Sequence, residues 1–339
     1  MPFPQDIHFI WVGGRRPLAN PTKGQWFKSW GELAMAWAKW APSVDYSNLV
    51  HRILEWKKRT RPWNIHLWVE TDRSITAEAA STLRGNGVEI HDITEVAGDF
   101  TEPWARYLAD ELCGQHANFG AASDLLRVAI LLQQGGLYTD LDNFPAKNIQ
   151  NLTTLSLNSD LAIGVFTDPK VPNNAALASA PGHEFMQRYL DGIVSQYERL
   201  YDANPETEEV DSLHLYSMTS LEHAFPTGNI GQPTRDQMTD WRVHQHRIVD
   251  RLNTTLNISG PRLLRWCLAR QFFDYEDDFM QYQLSGEDAK WQGTQTTELI
   301  TMNVGIPTDV IRITSENSWG GQPSQIGERQ ESLSRLLFP

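Results

Sequence analysis

Residues 118 to 143 read NFGAASDLLRVAILLQQGGLYTDLDN, and the rest of the chain is organised around them. Between Ala122 and Gln134 the apolar residues Leu125, Leu126, Val128, Ala129, Leu131 and Leu132 recur at helical spacing. Ser123 stands near the start, where a hydroxyl can cap free backbone N–H groups. Gly135 and Gly136 supply the left-handed residue that ends a helix. Leu137 to Leu141 then alternates like a strand, with Tyr138, Asp140 and Asp142 on one face and Leu137 and Leu141 on the other. Two carboxylates side by side repel each other, and a divalent cation is the usual counterweight. Asp124 and Arg127, three apart, share a face of the preceding helix. A bare D-x-D is also a common turn-capping pair at a strand end, so the flanking chain has to decide between the two.

The 339 residues are enough for one large domain, or for a core domain with a second helical lobe. A content of 40% hydrophobic and 21% charged residues is ordinary for a soluble globular protein. The net charge of −13 argues against a nucleic-acid surface and against a patch for anionic membranes. Cys113 and Cys267 do not make a disulfide framework and read as reduced thiols, compatible with a cytosolic working site. The start, MPFPQDIHFIWVGG, lacks the basic region and long apolar run of a Sec signal peptide, and no stretch approaches the ~20 apolar residues of a membrane span. A secretion address read by a receptor leaves no such trace.

Upstream, the buried run Ile7 to Val12 ends in Gly13 and Gly14. It reads as the first parallel strand of an α/β sheet, with the glycines letting backbone approach a ligand at the strand's carboxyl end. Trp11 there is either a core residue or a stacking platform for a base. Trp26, Trp30, Trp37 and Trp40 fall on a helical face, which suits a helix pair packed on the sheet or a surface facing an acceptor. LVHRILEWKKRT is an amphipathic helix. Residues 62 to 72 give a second strand with Ile65, Leu67 and Val69 alternating, 75 to 86 a helix, and Val88 to Ile93 a third strand. The order β, α, β, α, β fits an open, mostly parallel sheet.

Downstream of Asn143 a loop leads to a strand at Leu161 to Asp168. Asn173 and Asn174 precede a short apolar strand, Ala175 to Ala178, and Pro181 to His183 form a turn that starts a helix from Glu184 to about Leu200. Residues 202 to 257 are polar and weakly periodic. Their His244 and His246 lack a third ligand at zinc spacing. A helix follows Ser259, which caps it, with Pro261 in the first turn. Val310 to Ile313 is a strand. Asn317, Ser318 and Trp319 beside two glycines then suggest a lid over a site. The domain picture is a single domain over 1–339. Within it lie a helical insertion at 15–60, a helical or irregular subdomain at 184–300 and a lid at 310–339.

Four pieces in order, IHFIWVGG, AASDLLRVAILLQQGGLYTDLD, an NNA strand and SENSW, resemble the D-x-D glycosyltransferases that include the clostridial large glucosylating toxins. The resemblance is closest over residues 118 to 143 and the first strand, whose F-x-W-x-G-G has the toxin form. It implies a GT-A fold, Rossmann-like and mostly parallel, with an added helical subdomain. It also implies retaining transfer from a UDP-sugar, with Mn²⁺ or Mg²⁺ bridging the diphosphate. Carried over, Trp11 would stack on uracil, Asn118 and Ser123 would line the nucleotide pocket, and Tyr138 would pack against the nucleotide. Asp124 and Arg127 would hold hydroxyls of the donor sugar, and Asp140 would bind ribose and sugar hydroxyls with a share in the metal site. Asp142 would ligate the metal. Asn173 or Asn174 would contact the sugar. In the tail, Glu316, Asn317 or Ser318 would complete the metal site, and Trp319 would touch the β-phosphate.

Chemistry agrees with these assignments. Cleaving a sugar–diphosphate bond leaves charge on the β-phosphate, which a divalent ion and an indole N–H can stabilise. No double-displacement nucleophile stands out, so a same-face internal return is expected. The small flank of the NNA strand favours UDP-GlcNAc over UDP-glucose. The expected acceptor is a host protein such as a small GTPase, met by a translocated bacterial toxin or effector. A polysaccharide or glycolipid made by a housekeeping enzyme is the other acceptor class.

Overall fold

The structure is a computed structural model that describes residues 2–12, 18–19, 49–71, 73–98, 102–113, 119–166, 171–202, 255, 258–272 and 304–313. The early tryptophans, His244, His246, Asn118, Asn317, Ser318 and Trp319 lie outside the described residues. So does most of the expected insertion and lid. The chain forms two compact units: residues 1–96, 129–183 and 297–318, and residues 97–128, 184–296 and 319–339.

The first unit is built on a seven-stranded sheet of order β3-β2-β1-β4-β7-β6-β8. Strands β1 (Asp6–Trp11), β2 (Asn64–Val69), β3 (Val88–Asp92) and β4 (Gly136–Thr139) run parallel. Strand β7 (Pro172–Ser179) is antiparallel to both its neighbours, β4 and β6 (Leu161–Val165), and β8 (Gly305–Ile306) is parallel to β6. A short second ladder pairs β5 (Phe144–Pro145) with β9 (Ile311–Arg312). Connecting helices are α1 (Leu49–Arg59), α2 (Ala77–Gly85), the single turn α3 (Thr94–Ala97) and, after β5, α6 (Asn151–Asn158). Thr76 caps α2 by accepting from the Ala79 amide.

Helix α1 forms because Leu49, Val50, Ile53 and Trp56 make one apolar stripe, all buried in the cluster with Ile7, Phe9, Leu67 and Leu83. Each such side chain contributes roughly 1.5–3 kcal/mol. The expected alternation of β2 is absent from its burial: every residue after Asn64 is buried. A parallel strand is covered on both faces, so its polar residues are buried as well. His66 and Trp68 occupy the face opposite Ile65, Leu67 and Val69.

The second unit contains α4 (Pro103–Cys113), α7 (Glu184–Asp202) and α8 (Pro261–Phe272), with α7 packed on the other two. Tyr107 stacks on Tyr197 at 4.7 Å, and the Tyr197 hydroxyl donates to buried Glu111 at 2.7 Å. Cys267 is buried and free, and burial pushes its thiol up to about 12, so it stays protonated.

Helix α5 (Phe119–Gln134) belongs to the second unit in its first half and to the first unit from Ala129 onward. It ends as the sequence implies, at Gly135 (φ 71°) and Gly136 (φ 94°). A Cβ on Gly136 would lie 2.7 Å from the Asp6 carbonyl and 2.9 Å from His8 Nε2. Gly136→Ala therefore combines a left-handed strain of about 1–3 kcal/mol with a clash against β1. Thermal unfolding of that variant should show a clear drop in melting temperature. An unchanged value would contradict the close approach of β4 to β1.

Buried His8 accepts at Nδ1 from Trp68 Nε1 (3.2 Å), and its Nε2 donates to the Gly135 carbonyl (2.9 Å). Burial pushes its pKa down to about 3 from an ordinary 6.5. The folded imidazole stays neutral while the unfolded one takes up a proton below pH 6.5, so stability falls with falling pH across the window from 6.5 to about 3. The loss amounts to roughly 2 kcal/mol by pH 5. His8→Gln keeps one donor and one acceptor without titrating. Its denaturant midpoint should fall less than that of wild type between pH 7 and 5, and equal falls would contradict the assignment.

Candidate active site

In the first unit, strand β4 stops at Thr139, two residues short of the expected end at Leu141 and just before Asp140. Asp140 to Asn143 is a turn closed by the Asn143 amide donating to the Asp140 carbonyl at 3.1 Å. The two acids are thus the first and third residues of a turn, not neighbours on a strand face. Turns suit Asp and Asn because their short side chains bond nearby backbone. Tyr138 is buried, and its hydroxyl donates to Asp140 Oδ1. Asp142 is buried and Asp140 partly so.

The asparagine pair also differs from its expected place. Asn173 and Asn174 lie inside β7, both buried. Pairing with β6 jumps from Ile163↔Leu177 to Gly164↔Asn173, so Asn174, Ala175 and Ala176 bulge from the ladder. Bulges re-aim side chains beside functional sites. The bulge is fixed internally by the Ala175 amide donating to Asn173 Oδ1 at 2.7 Å. It is tied to the acidic turn through one carbonyl: Ala175 O accepts from the Asp140 amide at 2.8 Å and from Asn143 Nδ2 at 2.7 Å. Asn143 Nδ2 also lies 3.0 Å from Thr139 Oγ1. Gly164 is required opposite the bulge, since a Cβ there would meet Ile313 Cδ1 at 2.3 Å and the Ala176 carbonyl at 2.9 Å.

Helix α1 supports the turn. Fully buried Arg52 donates from Nη1 to the Leu141 carbonyl at 3.1 Å, and its guanidinium lies 4.6 Å from the Phe144 ring centroid. Trp56 Nε1 donates to the Asn143 carbonyl at 3.3 Å, and Arg59 donates to the carbonyls of Pro145 (2.7 Å) and Ala146 (2.9 Å). These supports were missed from sequence, although an arginine within the apolar stripe of LVHRILEW is a signal for a buried polar partner. Trp11 ends β1, which pairs with β4, so it and Asp140 both belong to the carboxyl end of the parallel strands. Trp11 packs partly buried against the apolar cluster. Ile311 and Arg312 of β9 pair with β5, directly after the acidic turn.

In the second unit, Asp124 and Arg127 form a buried ion pair, Arg127 Nη2 to Asp124 Oδ1 at 3.0 Å. Helix α5 begins at Phe119, so Ser123 is inside it rather than capping it. The Ser123 carbonyl accepts from Arg127 Nε at 3.2 Å, and its hydroxyl lies 3.3 Å from Arg127 Nη2. The other Asp124 oxygen, Oδ2, accepts from the hydroxyl of Ser259 at 2.8 Å. Ser259 thus reaches Asp124 instead of capping α8, whose first residue is Pro261. Tyr189 on α7 holds this segment by donating to the Ser259 carbonyl at 2.5 Å. No local pattern in the sequence links Ser259 to Asp124, 135 positions away.

Residues 37–160 match the family described as glycosyltransferase sugar-binding region containing DXD motif. Over 106 residues the chain is 26% identical to the initiation-specific alpha-1,6-mannosyltransferase of Schizosaccharomyces pombe, and the match spans 27% of each chain. The chain thus spans about a quarter of the length of that curated relative. The catalytic domain of alpha-toxin from Clostridium novyi superposes with a TM-score of 0.54 at 13% identity, over 99% of this chain and 83% of that one. The UDP-bound glycosyltransferase domain from the YGT toxin gives a TM-score of 0.49 at 12% identity, over 80% of this chain and 77% of that one. The alpha-toxin likeness establishes the fold, an α/β fold of GT-A type with a mostly parallel sheet.

Proposed function

We propose that this chain, which carries a DXD sugar-binding region on a GT-A fold, is a retaining, metal-dependent glycosyltransferase that draws a hexose from a UDP-sugar. The observation that carries the reading is the coupling of the D-x-D turn to the Asn173–Asn174 bulge through the Ala175 carbonyl. Such a coupling makes a metal-binding turn and a sugar-binding strand one rigid piece.

In this reading Asp142, with Asp140, Asn317 and Ser318, holds the divalent ion. The donor set is all oxygen, which fits Mn²⁺ or Mg²⁺. Bound there, the ion offsets charge on the leaving diphosphate. Tyr138 fixes the orientation of Asp140 by donating to its Oδ1. Trp11 stacks on the base, Tyr138 packs against the nucleotide, and Asn118 and Ser123 belong to the nucleotide pocket. Asp124 and Arg127 bind donor-sugar hydroxyls, with Ser259 and Ser123 holding the pair in place. Asn173 and Asn174 contact the sugar, and the Trp319 indole N–H donates to the β-phosphate. The acceptor hydroxyl loses its proton to the departing phosphate on the same face of the sugar.

UDP-GlcNAc is favoured as donor, because Ala175 is the small residue beside the asparagines. The acceptor is a host protein, such as a small GTPase, reached by translocation of a bacterial toxin or effector. The toxin form of the first strand and the acidic composition support this, and no described helix is long and apolar enough to cross a membrane. The test is labelled UDP-GlcNAc and UDP-glucose incubated with a eukaryotic lysate. Label in a discrete protein band is expected; label confined to lipid or glycan extracts would overturn the protein acceptor. The mannosyltransferase relative favours one second reading, transfer of mannose to a glycan, and a labelled mannose donor in the same assay separates it.

A further inference from the structure

The face of the sheet opposite the apolar cluster carries His8, His66 and His91 on β1, β2 and β3, with neighbouring ring centroids 5.0 and 5.2 Å apart. Trp68 and Gly135 engage both nitrogens of His8. The other two rings are arranged differently. His66 stands opposite Glu89 in the parallel register, and His91 follows two residues on, so all three side chains share one face. His66 Nδ1 lies 3.0 Å from His91 Nε2, and Glu89 Oε2 lies 3.6 Å from the first and 3.8 Å from the second.

The outer nitrogens meet carboxylates. His66 Nε2 is 3.3 Å from Asp6 Oδ1, and His91 Nδ1 is 2.8 Å from Glu95 Oε2. Glu95 is held in turn by the Asp92 amide, which donates to Oε1 at 3.0 Å. An ionised carboxylate only accepts, so each outer nitrogen carries the hydrogen. A neutral imidazole has one N–H, and both inner nitrogens then present lone pairs to each other and to Glu89. Three electron-rich atoms aimed at one point call for positive charge between them, supplied by a metal ion or by a proton shared between the rings.

We infer that His66, His91 and Glu89 form a binding site for a divalent d-block cation such as Zn²⁺. Two imidazoles and one carboxylate suit Zn²⁺, with bonds of about 2.0–2.2 Å and ligand separations of roughly 3.3 Å at tetrahedral angles. Carboxylates behind both imidazoles are the outer partners that orient ligating histidines and fix their tautomers. The Glu89 side chain is 58% exposed, which gives the ion a path from solvent and leaves a fourth position for water. The site clips edge strand β3 to β2. It lies two and three strands from β4 and differs in ligand type from the oxygen set of the D-x-D turn.

The experiment uses the full chain stripped with chelator and titrated with Co²⁺, read by its visible absorption, then with Zn²⁺, read by melting temperature. Wild type and Asp142→Asn are expected to give a Co²⁺ band with one equivalent and a rise in melting temperature with Zn²⁺. His91→Gln should lose both, and Glu89→Gln, at a half-exposed position, should weaken Co²⁺ binding about tenfold or more. A band that persists in both variants would place the ion elsewhere, for instance on His244 and His246, and overturn the proposal. No binding by wild type would overturn it too, leaving a shared proton alone between the two rings.

Discussion

Asp142→Asn is expected to cut Mn²⁺-dependent hydrolysis of a UDP-sugar by about 10²- to 10³-fold, the scale of losing one group that stabilises transition-state charge. Asparagine keeps the shape of the side chain and the turn, so the melting temperature should stay near that of wild type. Asp140→Asn should be milder in its metal dependence, because an amide oxygen still accepts from Tyr138. Its loss should appear mainly in the donor KM, as expected of a residue that binds hydroxyls. The double variant should be inactive. Kinetics over a Mn²⁺ titration checks all three, and a wild-type Mn²⁺ response in Asp142→Asn would contradict the division of labour between the two acids.

The second large effect is expected at Asp124. Removing this carboxylate leaves the Arg127 guanidinium buried without its ion-pair partner, at a cost of about 3–5 kcal/mol. Chemical denaturation of Asp124→Ala measures it. Arg127→Met in the Asp124→Ala background should recover part of that loss, since the buried guanidinium charge is removed together with its carboxylate. Ser259→Ala should cost less, about 1–3 kcal/mol, by leaving one buried carboxylate oxygen short of a donor. If Asp124→Ala unfolds like wild type, the pair is not the support described here.

Much of this architecture is legible in the sequence because its signals are local. The run from Ala122 to Gln134 fixes a helix by periodicity, and Gly135–Gly136 ends it because few other residues take a positive φ. The parallel strands show as short apolar runs separated by helices. What stays hidden is non-local. The D-x-D stretch reads as strand by alternation, yet the chain turns at Asp140, because its amide and the Asn143 side chain share the Ala175 carbonyl of another strand. Asn173 and Asn174 look like a strand's prelude but lie within a bulge that only the β6 register reveals. Ser259 carries every local mark of a helix cap, and a carboxylate on a distant helix outcompetes that role. Arg52 and Arg59 sit on a helix whose amphipathic pattern is plain, but their targets are carbonyls after the acidic turn.

The most direct measurement is a hydrolysis assay of the purified chain against a panel of UDP-sugars, each with and without Mn²⁺. The account predicts Mn²⁺-dependent release of UDP, fastest from UDP-GlcNAc, and its loss in the Asp140→Asn, Asp142→Asn double variant. A wild-type chain that hydrolyses no UDP-sugar in the presence of Mn²⁺ would contradict it.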